Sequence, residues 1–112
     1  MVLSRDNILG AMDYKIHRVL VEAWGGEVCV RPFTTKLRDR IEMMSNKGDP
    51  TKSLTAVAMA GSICDEAGKL LFSEADIVKL EEKDATACAK VAAKILEINS
   101  ITESNLEEAE KN

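Results

Sequence analysis

The pattern of apolar and polar residues first indicates strands in the N-terminal third of the chain. The runs HRVLVEAW and EVCVR, within residues 17–31, are rich in β-branched residues and are separated by Gly25 and Gly26. Two such runs around a Gly-Gly pair predict an antiparallel hairpin with a two-residue primed turn, in which both glycines adopt positive φ. We therefore predict one β-hairpin over residues 17–31.

The two-residue turn also fixes the register and the faces of the predicted hairpin. It places Ala23 opposite Val28 and Val21 opposite Val30, with Val19 on the same face. That face is apolar and should pack on the core, whereas the other should be mostly solvated. The second face carries Leu20, Glu22, Trp24, Glu27, Cys29 and Arg31.

Helix signals precede and follow the hairpin, each with apolar residues at helical spacing behind it. In chain order the capping signals are Ser4, Thr34 or Thr35, Asp49 followed by Pro50, and the Ser73-x-x-Asp76 capping box. The predicted helices cover residues 5–12, 34–46, a segment that begins at residue 50, residues 73–82 and residues 84–99.

Residues 51–64 fit two patterns. Leu54, Val57 and Gly61 have helical spacing, whereas Val57, Met59 and Ile63 alternate as in a strand. The Asp-Pro start and the alanines favour the helix. The run DEAGKLLF then predicts a turn with Gly68 at its tight position, followed by a short extended piece.

The helix predicted over residues 84–99 is apolar around most of its circumference. Its polar positions are Thr86, Lys90, Lys94 and Glu97, which form one narrow stripe. Such a helix must be covered on most sides. Two interpretations follow: it is a central core helix, or it offers an apolar surface to a partner.

Together these elements predict an α+β fold. We expect a small, mostly helical single domain over residues 1–100, in which one antiparallel β-hairpin packs against four to five helices. A chain of 112 residues is long enough for one core. Residues 101–112 are polar and acidic, and they predict a terminal helix or a flexible tail.

Charge argues against nucleic-acid binding. The net charge is −4, which repels a phosphate backbone unless positive residues cluster. A local basic group does exist, but Asp39 and Glu42 interrupt it and no aromatic residue is interleaved with it; its members are Arg31, Lys36, Arg38 and Arg40. We interpret it as the solvated face of a helix, with Arg38 and Glu42 paired at i,i+4.

No motif for catalysis, metal binding or membrane insertion occurs in the sequence. The three cysteines are widely spaced and form no CxxC, so a disulfide framework or a zinc site is not expected. His17, the single histidine, lies on a predicted strand without a nucleophile pattern beside it. The sequence has no phosphate-binding loop, no signal-peptide pattern and no apolar run long enough to span a membrane. We predict no cofactor and no enzymatic activity.

Three blocks of the sequence, in this order, resemble the tail assembly chaperones of long-tailed bacteriophages and prophages. They are LSRDNILGAMD, EAWGGEVCVRPFTTKLRDRIE, and CDEAGKLLFSEADIVKLEEKDATACAKVAAKILEINSITESNLEEAEKN. The second is a Trp-Gly-Gly hairpin followed by a helix. In the third, an Asp-x-x-Gly turn precedes a capped short helix, a long helix and an acidic tail.

The resemblance implies a non-enzymatic protein of the host bacterial cytoplasm that is absent from the mature virion. Such proteins bind the tape-measure protein, keep it soluble and help to recruit tail-tube subunits, in many phages through a frameshifted longer form. Independently of the resemblance, the small polar surface of the helix over residues 84–99 predicts a homo-oligomer or a ready partner surface. A pliable core of Ala, Met and Val, poor in aromatic residues, suits the binding of client helices.

We predict that apolar residues at helical spacing, with one aromatic residue, bind the client. They are Trp24, Met43, Met44, Met59, Val91, Ile95 and Ile98. The alternative is that all seven belong to the core. Two other functions also remain open: a structural connector protein that stays in the phage particle, and a small DNA-binding regulator that uses residues 31–40.

Overall fold

A computed structural model of the chain describes residues 1–47 and 52–99. Five helices and three strands lie in these ranges: α1 (Arg5–Gly10), β1 (His17–Val21), β2 (Gly26–Val30), α2 (Thr35–Lys47), α3 (Leu54–Ala60), β3 (Ile63–Cys64), α4 (Ile77–Glu81) and α5 (Ala85–Ile98). Single 3₁₀ turns cover Glu22–Trp24 and Glu74–Asp76. The strands form one antiparallel sheet in the order β1-β2-β3. The predicted α+β fold is confirmed.

The hairpin exists, but its turn and register differ from the prediction. Val30 pairs with His17 instead of Val21, and Val28 pairs with Val19 instead of Ala23. The cause is the 3₁₀ turn Glu22–Trp24, which ends β1 early. It is closed by a 3.0 Å hydrogen bond from the N–H of the next residue to the Glu22 carbonyl. That next residue is Gly25, with φ of 75°, whereas Gly26 begins β2.

The predicted core face nevertheless survives this change of register. Val30 moves by four positions relative to β1, and an even shift keeps the side chains that remain in the strands on their original faces. Val21 and Val30 are buried in the core, and the side chains of Val19 and Val28 pack against it. The prediction of the apolar face is therefore confirmed for these four valines. The predicted pairs are wrong, and Ala23, which was predicted on the same face, lies in the 3₁₀ turn and is exposed.

Residues 52–64 form a helix and then a short strand, so both the helical and the extended pattern of this segment are realised in part. Ser53, whose side chain accepts a hydrogen bond from Ala56 N–H at 3.2 Å, caps α3. The helix ends at Ala60, and β3 follows as a third strand that the sequence analysis did not predict. The predicted helix start at Asp49 and Pro50 lies outside the described residues.

Helix α2 has the predicted cap and apolar stripe. Thr34 Oγ1 accepts a hydrogen bond from Leu37 N–H at 3.1 Å. The half-buried side chains of Leu37, Ile41 and Met44 pack against the core, whereas much of the rest of the helix is exposed. Its polar face is therefore turned to solvent, as the sequence predicted.

Helix α5 is covered on one side by the rest of the described chain. Asp84 caps it by accepting a hydrogen bond from Ala87 N–H at 3.0 Å. Its buried residues are Ala87, Cys88, Val91 and Ile95, and they pack on α3 and β1. Ala89, Ala93 and Leu96 are exposed. The described chain therefore does not cover this helix on most sides.

Candidate partner-binding surface

The seven predicted client-binding residues fall into three groups. Met59, Val91 and Ile95 are 1%, 0% and 0% exposed, so these side chains cannot contact a partner while the domain is folded. They lie where α3 and α5 pack together in the core. Met43 is 58% exposed on α2. Trp24, Met44 and Ile98 are half-buried and pack on the outside of the core.

Trp24 does not lie on the solvated face of the hairpin, where the sequence analysis expected it. It belongs to the 3₁₀ turn after β1, and this turn directs the indole towards the edge of the core. The ammonium of Lys83 lies over the ring, with Nζ 5.9 Å from the ring centroid. A half-buried indole beside a cation combines an apolar contact surface with a fixed charge.

Trp24 lines a cleft of about 330 Å³, which we call the Trp24 cleft. Its lining consists of four apolar side chains and two lysines: Trp24, Ile63, Phe72, Leu80, Lys79 and Lys83. The accessible lining is almost entirely apolar. Of these six residues only Trp24 was predicted from the sequence as a site residue. The other five come from three separate segments that only the fold brings together.

A second depression of about 210 Å³ lies beside the Trp24 cleft, between α3 and the start of α5. The two share Leu80 and Lys83. Small side chains such as Ala56, Ala85 and Ala89 line this depression. Glu81 also lines it and accepts a 2.9 Å hydrogen bond from a backbone N–H of the α3 cap. This surface of the domain is therefore concave over two neighbouring regions.

The N-terminal segment exposes a second apolar surface. Helix α1 has a complete capping box, in which Ser4 Oγ accepts from Asn7 N–H and Asn7 Oδ1 accepts from Ser4 N–H, both at 3.2 Å. None of its residues is buried. The exposed large apolar side chains of this segment are Met1, Val2, Leu3, Ile8, Leu9 and Met12.

The basic group does not form one cationic surface. Arg31 is half-buried and donates from Nη1 to the Gly68 carbonyl at 2.6 Å. The Arg40 guanidinium donates two hydrogen bonds to Glu74, at 2.7 and 2.8 Å. Arg38 lies 3.9 Å from Glu42, the pair that the sequence predicted. Because the backbone holds Arg31 and a carboxylate holds Arg40, the basic group is divided, and the geometry disfavours a nucleic-acid interface.

Glu74 joins two segments electrostatically. Besides Arg40, it accepts a hydrogen bond from Lys52 Nζ at 2.6 Å. The hydrogen bonds from Arg40 and Lys52 lower the pKa of the Glu74 carboxyl to about 2. The carboxyl lies on the surface, so this arrangement is a structural ion pair between α2, the residues before α3 and the 3₁₀ turn.

The described residues show no arrangement for metal chemistry. Within residues 1–47 and 52–99 no group of three or more His, Cys, Asp or Glu side chains is placed to hold a metal ion. The cysteines are free thiols, and burial raises the pKa of Cys64 and of Cys88. A separate finding is that none of the described helices has the length and apolar character of a membrane span.

Comparison with known proteins gives one informative similarity. No protein-family profile and no curated protein sequence matches the chain. Among solved structures, the tail assembly chaperone of bacteriophage HK97 is similar, with a TM-score of 0.61 and 16% sequence identity. The similarity covers 79% of this chain and 84% of that chain. The chain therefore has the fold of a phage tail assembly chaperone, and the resemblance in its sequence is confirmed at the level of the fold.

Proposed function

We propose that this protein is a bacteriophage tail assembly chaperone that binds the tape-measure protein and keeps it soluble. In this role it also helps to recruit tail-tube subunits, a task that a frameshifted longer form would share. The observation that carries the proposal is the fold shared with the HK97 chaperone over 79% of this chain. The order of the three sequence blocks supports the same family independently of the fold.

The distribution of apolar side chains supports a binding role. Large apolar side chains are exposed in the N-terminal segment, and the Trp24 cleft is open to solvent. Exposed apolar patches on a small domain mark surfaces that bind other proteins. The described residues offer no metal cluster, and the structural neighbour points to a protein without catalytic activity.

The proposed client-binding residues are those of the seven that remain accessible: Trp24, Met43, Met44 and Ile98. Met side chains adapt to irregular client surfaces, and a half-buried Trp provides a large anchor. The protein would act in the host cytoplasm and leave the tail before the virion is complete.

Co-expression with the tape-measure protein tests the proposal directly. We expect the tape-measure protein to be soluble with this chain and insoluble without it. An unrelated acidic domain of similar size is the control, because net charge alone could raise solubility. Equal solubility without this chain, or equal rescue by the control, would refute the chaperone function.

Purified virions separate this function from that of a structural connector. The proposal predicts that the protein is absent from mature particles, whereas a connector would be present in stoichiometric amounts. Quantitative mass spectrometry of purified virions makes this measurement. The occupied arginines described above already disfavour the DNA-binding alternative.

A further inference from the structure

The Trp24 cleft combines an apolar floor with two positive charges on one side. Its charged lining residues are Lys79 and Lys83, while Trp24, Ile63, Phe72 and Leu80 form the floor. Its volume of about 330 Å³ is at the lower end of the range of roughly 300–1,000 Å³ for small-molecule sites. A cleft of this size accommodates one or two large apolar side chains of a protein partner.

The two lysines come from one short stretch of the chain. Lys79 lies on α4, and Lys83 follows two residues after the end of this helix, where its N–H donates to the Leu80 carbonyl at 3.1 Å. The Lys83 ammonium is placed over the Trp24 ring. Because both lysines line the same cleft, carboxylates on one face of a partner helix that enters it can reach both ammonium groups.

The nearby acidic residues do not neutralise this pair of lysines strongly. Lys79 Nζ lies 3.8 Å from Asp76 Oδ1, and its side chain is 83% exposed. The Asp76 carboxylate also accepts hydrogen bonds from the backbone N–H and the hydroxyl of Ser73. Glu81 belongs to the other depression, where it accepts from a backbone N–H. Glu82 and Asp84 flank Lys83 in the sequence. Asp84 caps α5, and among the ion pairs of the described residues neither carboxylate is paired with Lys83. Both ammonium groups therefore remain available to carboxylates that approach the cleft.

We infer that the Trp24 cleft binds an acidic amphipathic helix. The partner helix inserts a large apolar side chain against Trp24 and Phe72 and directs two carboxylates, one turn apart, to Lys79 and Lys83. In the proposed chaperone, on which this inference rests, the helix belongs to the client. The lysines then select acidic amphipathic segments among the many apolar helices that could fill the floor.

Fluorescence of Trp24 measures binding directly, because the chain contains a single tryptophan. The probe is a synthetic, tryptophan-free amphipathic peptide with leucines on one face and glutamates one turn apart beside them. A matched peptide carries lysine at the glutamate positions. We expect a saturable change in Trp24 emission with the acidic peptide and about tenfold weaker binding of the basic one. Equal affinity, or bound acidic peptide without a change in emission, would overturn the inference.

Charge reversal in the protein supplies the second test. The double variant Lys79→Glu, Lys83→Glu should lose about tenfold in affinity for the acidic peptide and gain affinity for the basic one. The double variant Lys36→Glu, Lys47→Glu makes the same change of net charge on α2, outside the cleft. It should retain preferential binding of the acidic peptide. An equal loss in both double variants would mean that net charge, not the cleft, attracts the peptide.

Co-expression with the tape-measure protein distinguishes the two proposals. If the wild-type chain fails to solubilise the tape-measure protein, the chaperone function is wrong. If the wild type succeeds and the folded Lys79→Glu, Lys83→Glu variant succeeds equally well, the chaperone function stands and the inference about the cleft is overturned. Loss of solubilisation in this variant alone, with an unchanged melting temperature, supports both.

Discussion

Gly68 illustrates how a single residue fixes the position of a turn. Its φ is 90°, and a Cβ atom there would lie 2.6 Å from the hydroxyl oxygen of Tyr14. The Gly68 carbonyl accepts the 2.6 Å hydrogen bond from Arg31, whose guanidinium lies over the Tyr14 ring at 5.9 Å. The turn, the end of β2 and the segment before β1 therefore meet at one position that has no room for a side chain.

We predict that Gly68→Ala destabilises the domain by about 1–3 kcal/mol, since an L residue resists positive φ and its methyl group would displace Tyr14. Urea denaturation measures the loss. Adding Tyr14→Phe removes the hydroxyl clash and should recover part of it. Gly10→Ala is the control, because a methyl group at that position would have no atom within 4 Å. If Gly68→Ala has the wild-type stability, the turn is not constrained as described.

Val30→Asp tests the core face of the hairpin. Val30 is 0% exposed, so the carboxylate would be buried without a partner, and we expect a loss of about 3 kcal/mol or more. Leu20→Asp is the matched control on the neighbouring strand, because Leu20 is 51% exposed and should cost less than about 1 kcal/mol. Thermal denaturation of both variants checks this. If the two variants have equal melting temperatures, Val30 is not more deeply buried than Leu20, and the assignment of the core face is wrong.

At the scale of secondary-structure elements, the chain uses Glu74 to connect parts that are distant in the sequence. Its carboxylate binds Arg40 of α2 and Lys52 before α3. Its folded-state pKa of about 2 is below the ordinary value of 4.5. A lowered carboxyl pKa stabilises the fold above the ordinary pKa, and this stabilisation is lost as the pH falls towards the folded-state value.

We therefore predict that Glu74→Gln is less stable than the wild type at pH 7 and that the difference disappears between pH 4.5 and pH 2. High salt should also reduce it, since the pair lies at the surface. Glu42→Gln is the control, because Glu42 contacts Arg38 only at 3.9 Å. Urea denaturation across this pH range is the measurement. A difference that persists unchanged at pH 2 would contradict the assignment.

The capping signals were predictable because each depends on residues close together in the sequence. The hydrogen bonds from Asn7 to Ser4, from Leu37 to Thr34 and from Ser73 to Asp76 each span three residues. The hairpin register was not predictable from such short-range signals. A Gly-Gly pair is compatible with a two-residue turn, but the sequence EAW formed a 3₁₀ turn before it. β3 was missed because two residues carry no periodicity and their partners on β2 are distant in the sequence.

At the scale of the whole molecule, the exposed face of α5 is a candidate contact between copies. Ala89, Ala93 and Leu96 lie on this face, opposite the buried Val91 and neighbouring core residues. The sequence predicted that most of the helix surface is buried. In the described chain only the side that carries Val91 and the neighbouring core residues is buried. A second copy could supply the remaining cover.

We predict that the protein self-associates through α5 and that Leu96→Glu weakens this association, because a buried carboxylate would lack a partner. A specific interface should bury about 1,000 Å² or more. Sedimentation velocity over a range of concentrations measures it. Val78→Glu, at an exposed position on α4, should leave association unchanged. A wild-type chain that remains monomeric at high concentration would refute the prediction.

The candidate site could be predicted only in part, for a reason that applies to the whole fold. Apolar residues at helical spacing look alike in sequence whether they face the core or a partner. Val91 and Ile95 therefore gave the same signal as Ile98, although only Ile98 remains partly accessible. Phe72, Lys79 and Lys83 become one site only when the chain has folded, so no local pattern marked them.

Strand β1 has a consequence for the solubility of the protein itself. It is at the edge of the sheet, and no strand within residues 1–47 and 52–99 pairs with its outer side. Such an edge can act as a template for an added strand and so for aggregation. Arg18 places a charge at the second residue of β1, and its guanidinium lies 3.2 Å from the Glu66 carboxylate. A charged side chain on an edge strand opposes such pairing, so Arg18 protects this edge in addition to the net charge of −4.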